Sequence, residues 1–475
     1  MRLLFIGGCK SGKSSTAQRM ARALACGKPM YYWATMEPHD GEDLARIRRH
    51  IADRDGWGFT TIERARDLTA GLETVRPEGT VLFDSVTACL AAQMFDGGDM
   101  DMGAPRRVAE QIAAISRVPA HFVCVCDGIW QGGEDYDPWT AAYTAGLAGI
   151  CRTLAAELFG VTDPERVVFT SSATHGLNIA IRTLVKPGGR VVISGYEHNA
   201  VTRPLHAIPG VEIAVADAPL FDREEMVRQF AQALETPADA VICTHVSNVF
   251  GCRLPVERIA ALCRERGVPF VLDASQSAGT LPVDMAALGA AFIAMPGHKG
   301  LYGPQGTGLL LCGMEPEPLL RGGTGSQSLL QVMPDQLPDR LEPGTHNMPG
   351  IAGLLEGLRF VKARGTERIA AHERRLTRQL AALLKEMPGV EVFFCPDDDS
   401  QTAVLSFRAE GWDCEELGET LAARGAAVRA GLHCAPLAHR TAGTLDTGTV
   451  RCSFSAFNTA AQVEEFARLL GQTLR

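Results

Sequence analysis

Short apolar runs alternate with amphipathic stretches along nearly the whole chain. Leu3-Leu4-Phe5-Ile6 reads as a buried strand, and Ser14 to Ala25 follows with Ala17, Met20, Ala21 and Leu24 at helical spacing. Thr80 to Phe83, His121 to Val125, Arg190 to Ile193, Ala240 to Thr244 and Pro269 to Leu272 repeat the strand signal, with helical stretches between them. This pattern predicts an α/β protein built on open parallel sheets with helices on both faces. Loops rich in Pro and Gly, at Gly97 to Pro105, Gly322 to Ser326 and Pro334 to Pro349, punctuate the chain without isolating domains.

At 475 residues the chain exceeds one compact core, so at least two domains are expected. Hydrophobic residues at 46% and charged residues at 21% are ordinary for a soluble globular protein. A formal charge of -9 argues against nucleic acid or an anionic membrane as partner. No apolar run reaches transmembrane length, and the first hydrophobic stretch is too short for a signal peptide, so the expected location is the cytoplasm. The 14 cysteines lack CxxC pairs and read as reduced, mostly buried thiols.

Gly7-Gly8-Cys9-Lys10-Ser11-Gly12-Lys13-Ser14 fits GxxxxGK[ST] between the first strand and the first helix. Backbone N–H groups of such a loop point at phosphate oxygens; Lys13 adds charge, and Ser14 offers a hydroxyl to Mg²⁺. Asp84, ending the strand TVLFD, is the natural second Mg²⁺ partner, though a helix N-cap accounts for it too. The segment after the loop contains Tyr32-Trp33-Ala34-Thr35, Glu42-Asp43, Arg46-Ile47, His50, Arg54 and Trp57. With the phosphate loop it resembles the adenosylcobinamide kinase/adenosylcobinamide-phosphate guanylyltransferase family. The resemblance implies GTP or ATP with Mg²⁺ as ligand, adenosylcobinamide as a substrate, and His50 as the acceptor of GMP. An imidazole suits that role because it can attack an α-phosphoryl group and later leave. The family's Asn-Glu after the next strand is absent; the chain reads Val125-Cys126-Asp127-Gly128.

FIAMPGHKGLYGPQGTG places Lys299 between a short apolar strand and a glycine loop. A Schiff-base lysine needs such a setting, because only the neutral amine attacks an aldehyde. FVLDASQSAG ends a buried strand at Asp273, 26 residues earlier. A carboxylate there pairs with a protonated pyridine nitrogen and keeps the ring an electron sink. Together they point to pyridoxal 5'-phosphate (PLP).

Around this pair, VVFTSSATHGLNIAI, SGYEHNAVTRPL, THVSNVFG, LEPGTHNMPGIAGL, RAGLHCAPLAHRTAGT and VRCSFSAFNT occur in order. Residues 151–475 resemble the cysteine desulfurase family of class V, with a type I PLP-dependent transferase fold. The resemblance implies Thr174 and His298 on the cofactor phosphate, His198 stacked on the ring, and Gln276 at the phenolic oxygen. Asn248 would lie by the ring and the substrate carboxylate, and Arg451 would clamp that carboxylate. Thr345 would reach the partner subunit's cofactor in a homodimer. Cys434 would take sulfur from L-cysteine as a persulfide, with Arg429 and His433 favouring its thiolate; a sulfur-acceptor protein or thiol would follow. Pro296 stands where the family often has serine, removing one phosphate hydroxyl. His439 is equally well explained by loop packing.

The expected organisation is residues 1–150 as a P-loop domain trimmed at its end, 151–350 as a large PLP-binding α/β domain, and 351–475 as a small α+β domain. The large domain lacks the family's usual opening segment, which lines the active site; its loss is expected to expose apolar surface there. The alternatives are a selenocysteine lyase, a class-V aminotransferase, or a fusion in which one module binds ligand without catalysing.

Overall fold

The computed structural model describes residues 2–7, 13–38, 47–48, 50–52, 54–94, 101, 103–127, 138–327, 329–397 and 400–475. The chain forms two compact units, Met1–Glu134 and Asp135–Arg475.

The first unit contains β1 (Arg2–Gly7), β2 (Met30–Ala34), β3 (Phe59–Glu63), β4 (Thr80–Asp84) and β5 (His121–Asp127). They form a parallel sheet in the order β1-β5-β4-β2-β3. Continuous apolar runs such as Val81-Leu82-Phe83 are wholly buried because both faces are covered. Ala17 and Ala21 of the helix Lys13–Ala25 pack on Tyr32, Leu82, Val123 and Val125. Trp33, Phe83 and Phe122 face the other way, against Val108 and Ile115 of the helix Ala104–Arg117.

The second unit holds two sheets. Its large sheet contains β6 (Val167–Thr170), β7 (Arg190–Ser194), β8 (Glu212–Ala216), β9 (Ala240–Thr244), β10 (Phe270–Asp273), β11 (Phe292–Pro296) and β12 (Gly308–Cys312), in the order β6-β12-β11-β10-β9-β7-β8. β12 runs antiparallel to both neighbours; the pairs from β11 to β8 are parallel. The small antiparallel sheet, ordered β13-β14-β16-β15, uses β13 (Val390–Phe393), β14 (Val404–Ala409), β15 (Arg429–Gly431) and β16 (Thr449–Ser453). Leu405, Phe407, Val450 and Cys452 point into its helix-covered core. The two-residue period therefore turns Ser406, Thr449 and Arg451 to the opposite face. Ser406 Oγ, on that face, donates to the Val249 carbonyl at 2.6 Å and ties the small sheet to the loop after β9.

The boundary expected at residue 150 falls inside one continuous helix, Pro138–Phe159, which lies in the second unit. Cys151, Ala155 and Phe159 are buried, and the helix packs along the helix Met348–Arg364. Arg152 donates to both carboxylate oxygens of Glu342 at 2.8 Å and to the Val167 carbonyl at 2.7 Å, while the Phe169 amide donates to the same carboxylate at 2.7 Å. These side chains are 12% and 4% exposed, so the pair is buried. Replacing Arg152 by Met leaves Glu342 without its cation, and the expected cost is about 3–5 kcal/mol. A lowered urea midpoint for the full chain, partly restored by adding Glu342→Gln, is the result to look for.

Candidate active site

Neighbouring parallel strands bring Asp273 and Lys299 together: β10 ends at Asp273, opposite Ala294, and Lys299 follows the end of β11. The carboxyl ends of parallel strands are where such sheets bind ligands. Asp273 is buried and takes the Ser275 amide on Oδ1 at 2.9 Å. The loop after Lys299 lies close on the loop after Asp273; a Cβ on Gly300 would meet the Ala278 carbonyl at 2.3 Å. Lys299 faces a cavity of about 440 Å³ that it shares with Gln276, His298 and Arg451. Solvent reaches the side chain through that opening, yet the surrounding protein is dense enough to lower its pKa. Burial is the main cause; Asp273 opposes it, and Arg451 and Arg429 add to it.

His198 caps the helix Asn199–His206, its Nδ1 accepting from the Ala200 amide at 2.9 Å. Burial lowers its pKa, with Asp273 opposing. A neutral ring that accepts at Nδ1 carries its proton on Nε2. Thr174 is exposed in the first turn of the helix Ala173–Leu184, whose N-cap is Ser172. Thr345 lines a different cavity of about 450 Å³, with Ser171, His175, Glu342 and His346.

Asn248 ties the remaining groups together. Its side-chain amide donates to the His433 carbonyl at 2.8 Å, and its backbone carbonyl accepts from Arg451 Nη1 at 2.8 Å. Cys434 is exposed and follows β15 on a turn in which His433 has φ 50° and Cys434 φ 58°. The Asn199 amide donates to the Cys434 carbonyl at 2.8 Å. His433 does not act as the cation expected beside the thiol: burial pushes it down to about 3, so the ring is neutral. Arg429 is exposed and stands directly opposite Arg451 in the β15–β16 register.

In the first unit, β1 ends at Gly7 and the helix begins with Lys13 and Ser14. Gly8, Cys9, Lys10, Ser11 and Gly12 lie outside the described residues. Asp84 and His50 line one cavity of about 420 Å³ with Tyr32, Glu37 and Arg54. Asp84 Oδ2 accepts from Tyr32 Oη at 2.8 Å, and the Arg54 guanidinium lies 3.9 Å from the Tyr32 ring centre. Nδ1 of His50 is buried without a hydrogen-bond partner.

A family model described as "Aminotransferase class-V" matches residues 141–466. The chain belongs to the class-V aminotransferase family. A second model, "Cobinamide kinase / cobinamide phosphate guanyltransferase", matches residues 3–162. Both resemblances read from the motifs are borne out. A protein named "Probable cysteine desulfurase" from Mycolicibacterium paratuberculosis is 34% identical over 329 residues, 67% of this chain and 47% of that protein. The chain thus spans about half the length of that relative. Another of the same name, from Methanothermobacter thermautotrophicus, is 32% identical over 326 residues, 65% of this chain and 78% of that protein. The apo cysteine desulfurase of Thermococcus onnurineus NA1 superposes with a TM-score of 0.64 at 28% identity, covering 72% of this chain and 86% of that one.

Class-V membership implies PLP, and the residues present fit it. Asn248 Oδ1 and Arg451 Nε are buried polar atoms without partners, and the helix start at Thr174 is open to a phosphate. Two groups here went unread in the sequence. The Asn199 amide acts through the backbone, which leaves no side-chain signal. Glu197 precedes His198 in the turn after an apolar strand, and an acid there was a visible clue. It is wholly buried, accepting from Ser194 Oγ and, at 2.7 Å, from the Thr244 amide. Burial pushes it up to about 8, against those hydrogen bonds.

A raised acid pKa makes folding most favourable below the unfolded value and less so as pH rises toward the folded one. Glu197→Gln removes that loss. From pH 5 to pH 8 the variant should gain about 3 kcal/mol relative to wild type. Urea unfolding at both pH values measures it; parallel curves for the two proteins would refute the assignment.

Proposed function

We propose that this chain is a PLP-dependent cysteine desulfurase that converts L-cysteine to L-alanine and retains the sulfur as a persulfide on Cys434. The observation that carries this reading is the tie through Asn248, which fixes an exposed cysteine turn beside the arginine suited to a substrate carboxylate. Lys299, Asp273, Gln276, His198, Thr174 and His298 are the residues that would hold PLP, which when bound supplies an electron sink at the substrate Cα. Arg451 presents its guanidinium to the carboxylate, and the lowered pKa of Lys299 suits an amine that must give and take protons. Cys434 Sγ forms the new S–S bond as the substrate's C–S bond breaks. The hydrogens balance as L-cysteine plus thiol giving L-alanine plus persulfide, and a thiol or protein acceptor then takes the sulfur. Arg429 and Arg451, opposite one another in the β15–β16 register, supply positive charge near this thiol.

A homodimer completes the reading, with Thr345 serving the partner's cofactor. Leu320, Leu329, Leu330 and Val332 support it: they are large apolar side chains exposed on the loop preceding Thr345. The first unit is read as a site for GTP or ATP with Mg²⁺, built on Lys13, Ser14 and Asp84. His50 is the candidate GMP acceptor toward adenosylcobinamide; the cavity shared by His50 and Asp84 supports this. Among the described residues no helix is long and apolar enough to cross a membrane, which fits the proposed cytoplasmic location.

Wild-type protein supplied with PLP should be yellow, and Lys299→Ala should lose the covalent cofactor link. Cys434→Ser should keep the visible spectrum while cysteine-dependent persulfide falls to background. Sulfur release that persists in the serine variant would point instead to lyase or aminotransferase chemistry. For the first unit, Lys13→Ala should weaken Mg²⁺-nucleotide binding by about 1.5–3 kcal/mol in calorimetry. Nucleotide binding without labelling of His50 by GTP would leave a binding module alone.

A further inference from the structure

Tyr302 has φ 55° without being glycine, so the loop after Lys299 takes a conformation that its surroundings must hold. The loop closes on itself. The Tyr302 amide donates to the Lys299 carbonyl at 3.0 Å, and the Gly303 amide to the Gly297 carbonyl at 2.7 Å. It also lies tight on the helix Met348–Arg364, where a Cβ on Gly357 would meet the Leu301 carbonyl at 2.1 Å. The Tyr302 side chain reaches beyond the loop to the elements of the small sheet. Its hydroxyl accepts from the Ala456 amide, in the segment leaving β16, at 3.1 Å. The same hydroxyl donates to Glu373 Oε1, on the helix Thr366–Lys385, at 3.3 Å. Its ring stands edge-on to Phe360 and Phe457, with centres 4.9 and 5.5 Å away.

Both contacts use the phenol as its chemistry allows, one donated and one accepted hydrogen bond on a single oxygen. Burial pushes the Tyr302 hydroxyl up to about 12, with the Ala456 amide opposing and Glu373 adding, so the proton stays on the oxygen. Glu373 is buried as well, which pushes it up to about 7 against the Tyr302 hydrogen bond and the charge of Arg374. Tyr302, Glu373 and Phe457 line the same cavity as Lys299 and Arg451. Arg451 lies in β16, and Ala456 follows shortly after that strand ends. One oxygen therefore joins the lysine loop of the large sheet to the segment that leaves the arginine strand of the small one.

We propose that Tyr302 and Glu373 are positioning residues that fix the span between Lys299 and Arg451. The hydroxyl, held by Glu373, locks the lysine loop to the segment leaving β16. Both residues act through Lys299 and Arg451 rather than on the substrate. An amino acid held by Arg451 at its carboxylate must bring its Cα to the lysine, so a fixed span selects an α-carboxylate. The inference rests on the desulfurase reading for its kinetic consequence, and on the hydrogen bonds alone for the joint.

The test compares full-length wild type, Tyr302→Phe, Glu373→Gln and Glu373→Leu, each loaded with PLP. Phenylalanine keeps the ring and loses one oxygen; glutamine keeps an acceptor for the hydroxyl, and leucine does not. In Tyr302→Phe and Glu373→Leu, KM for L-cysteine should rise about tenfold, the scale of one hydrogen bond lost. Glutamine should keep most of the wild-type affinity. A variant that merely folded less well would lower the apparent kcat and leave KM alone. Two readouts need no turnover. The ¹³C titration of the Glu373 carboxyl should move to higher pH in Tyr302→Phe, because the donor opposing burial is gone. The Ala456 amide should lose protection from hydrogen exchange in the same variant. An unchanged KM in Tyr302→Phe would overturn the proposal, as would an unmoved Glu373 titration or a leucine defect that glutamine fails to lessen. Should Glu373→Leu not fold, Tyr302→Phe decides alone. If wild type makes no persulfide, the desulfurase reading fails separately. The Glu373 titration and the Ala456 exchange then decide this inference, and it falls if neither moves.

Discussion

Three cations converge where the small sheet meets the PLP-type pocket, and the organisation of the site follows from how they are held there. Arg429 and Arg451 stand opposite one another across β15 and β16, a placement that destabilises an antiparallel pair. Arg429 adds to the burial that lowers the Arg451 pKa, and both arginines add to the burial that lowers that of Lys299. The strands tolerate this because their other face is spent in a core: Val450 and Cys452 pack with Leu405 and Phe407. Asp273 is the acid that opposes the cations at Lys299. The remaining imbalance favours anions, and the proposed phosphate-bearing cofactor and amino-acid carboxylate would relieve it. The same field keeps the lysine amine easier to deprotonate.

Holding those cations in register needs a joint between the two sheets, and Asn248 supplies it. One residue in the loop after β9 takes up the Arg451 guanidinium through its backbone carbonyl and the His433 carbonyl through its side-chain amide. Arg451 and the turn carrying Cys434 are therefore positioned by a single residue. Strain at the cysteine turn belongs to the same design. Two consecutive non-glycine residues at positive φ cost roughly 1–3 kcal/mol each, which the buried hydrogen bonds around them offset.

Lys299 and Asp273 were legible because their chemistry is local: each sits at the end of an apolar strand, and adjacent parallel strands bring such ends together. The α/β pattern was legible for the same reason, since buried parallel strands such as AVICT and FIAMP are apolar throughout. Protonation states were not. His433 beside a cysteine looks like an activating cation, and only its burial against Thr449 shows a neutral ring. Glu197 looks like a surface acid next to a histidine until the fold encloses it beneath Ser194 and Thr244. Both effects depend on residues tens of positions or more away or on total burial, which no local pattern encodes. The tie from Asn199 to Cys434 was less accessible still, because a backbone amide has no residue signature.

The helix Pro138–Phe159 shows a further limit of motif reading and resolves it physically. The two family models overlap over residues 141–162, so sequence similarity assigns that stretch twice. A stretch as rich in alanine, glycine and threonine as AAYTAGLAGICRTLAAELF satisfies many apolar helix patterns, which is why it supports both. A helix can commit its apolar stripe to one core only. Here Cys151, Ala155 and Phe159 are buried within the second unit, and Arg152 is fixed to Glu342, to the Val167 carbonyl and over the Phe169 ring at 4.2 Å. A guanidinium desolvated among three partners is far more specific than a small apolar residue, because no other placement satisfies all its donors at once. Arg152, rather than the similarity on either side of it, decides that this helix works for the PLP-type unit.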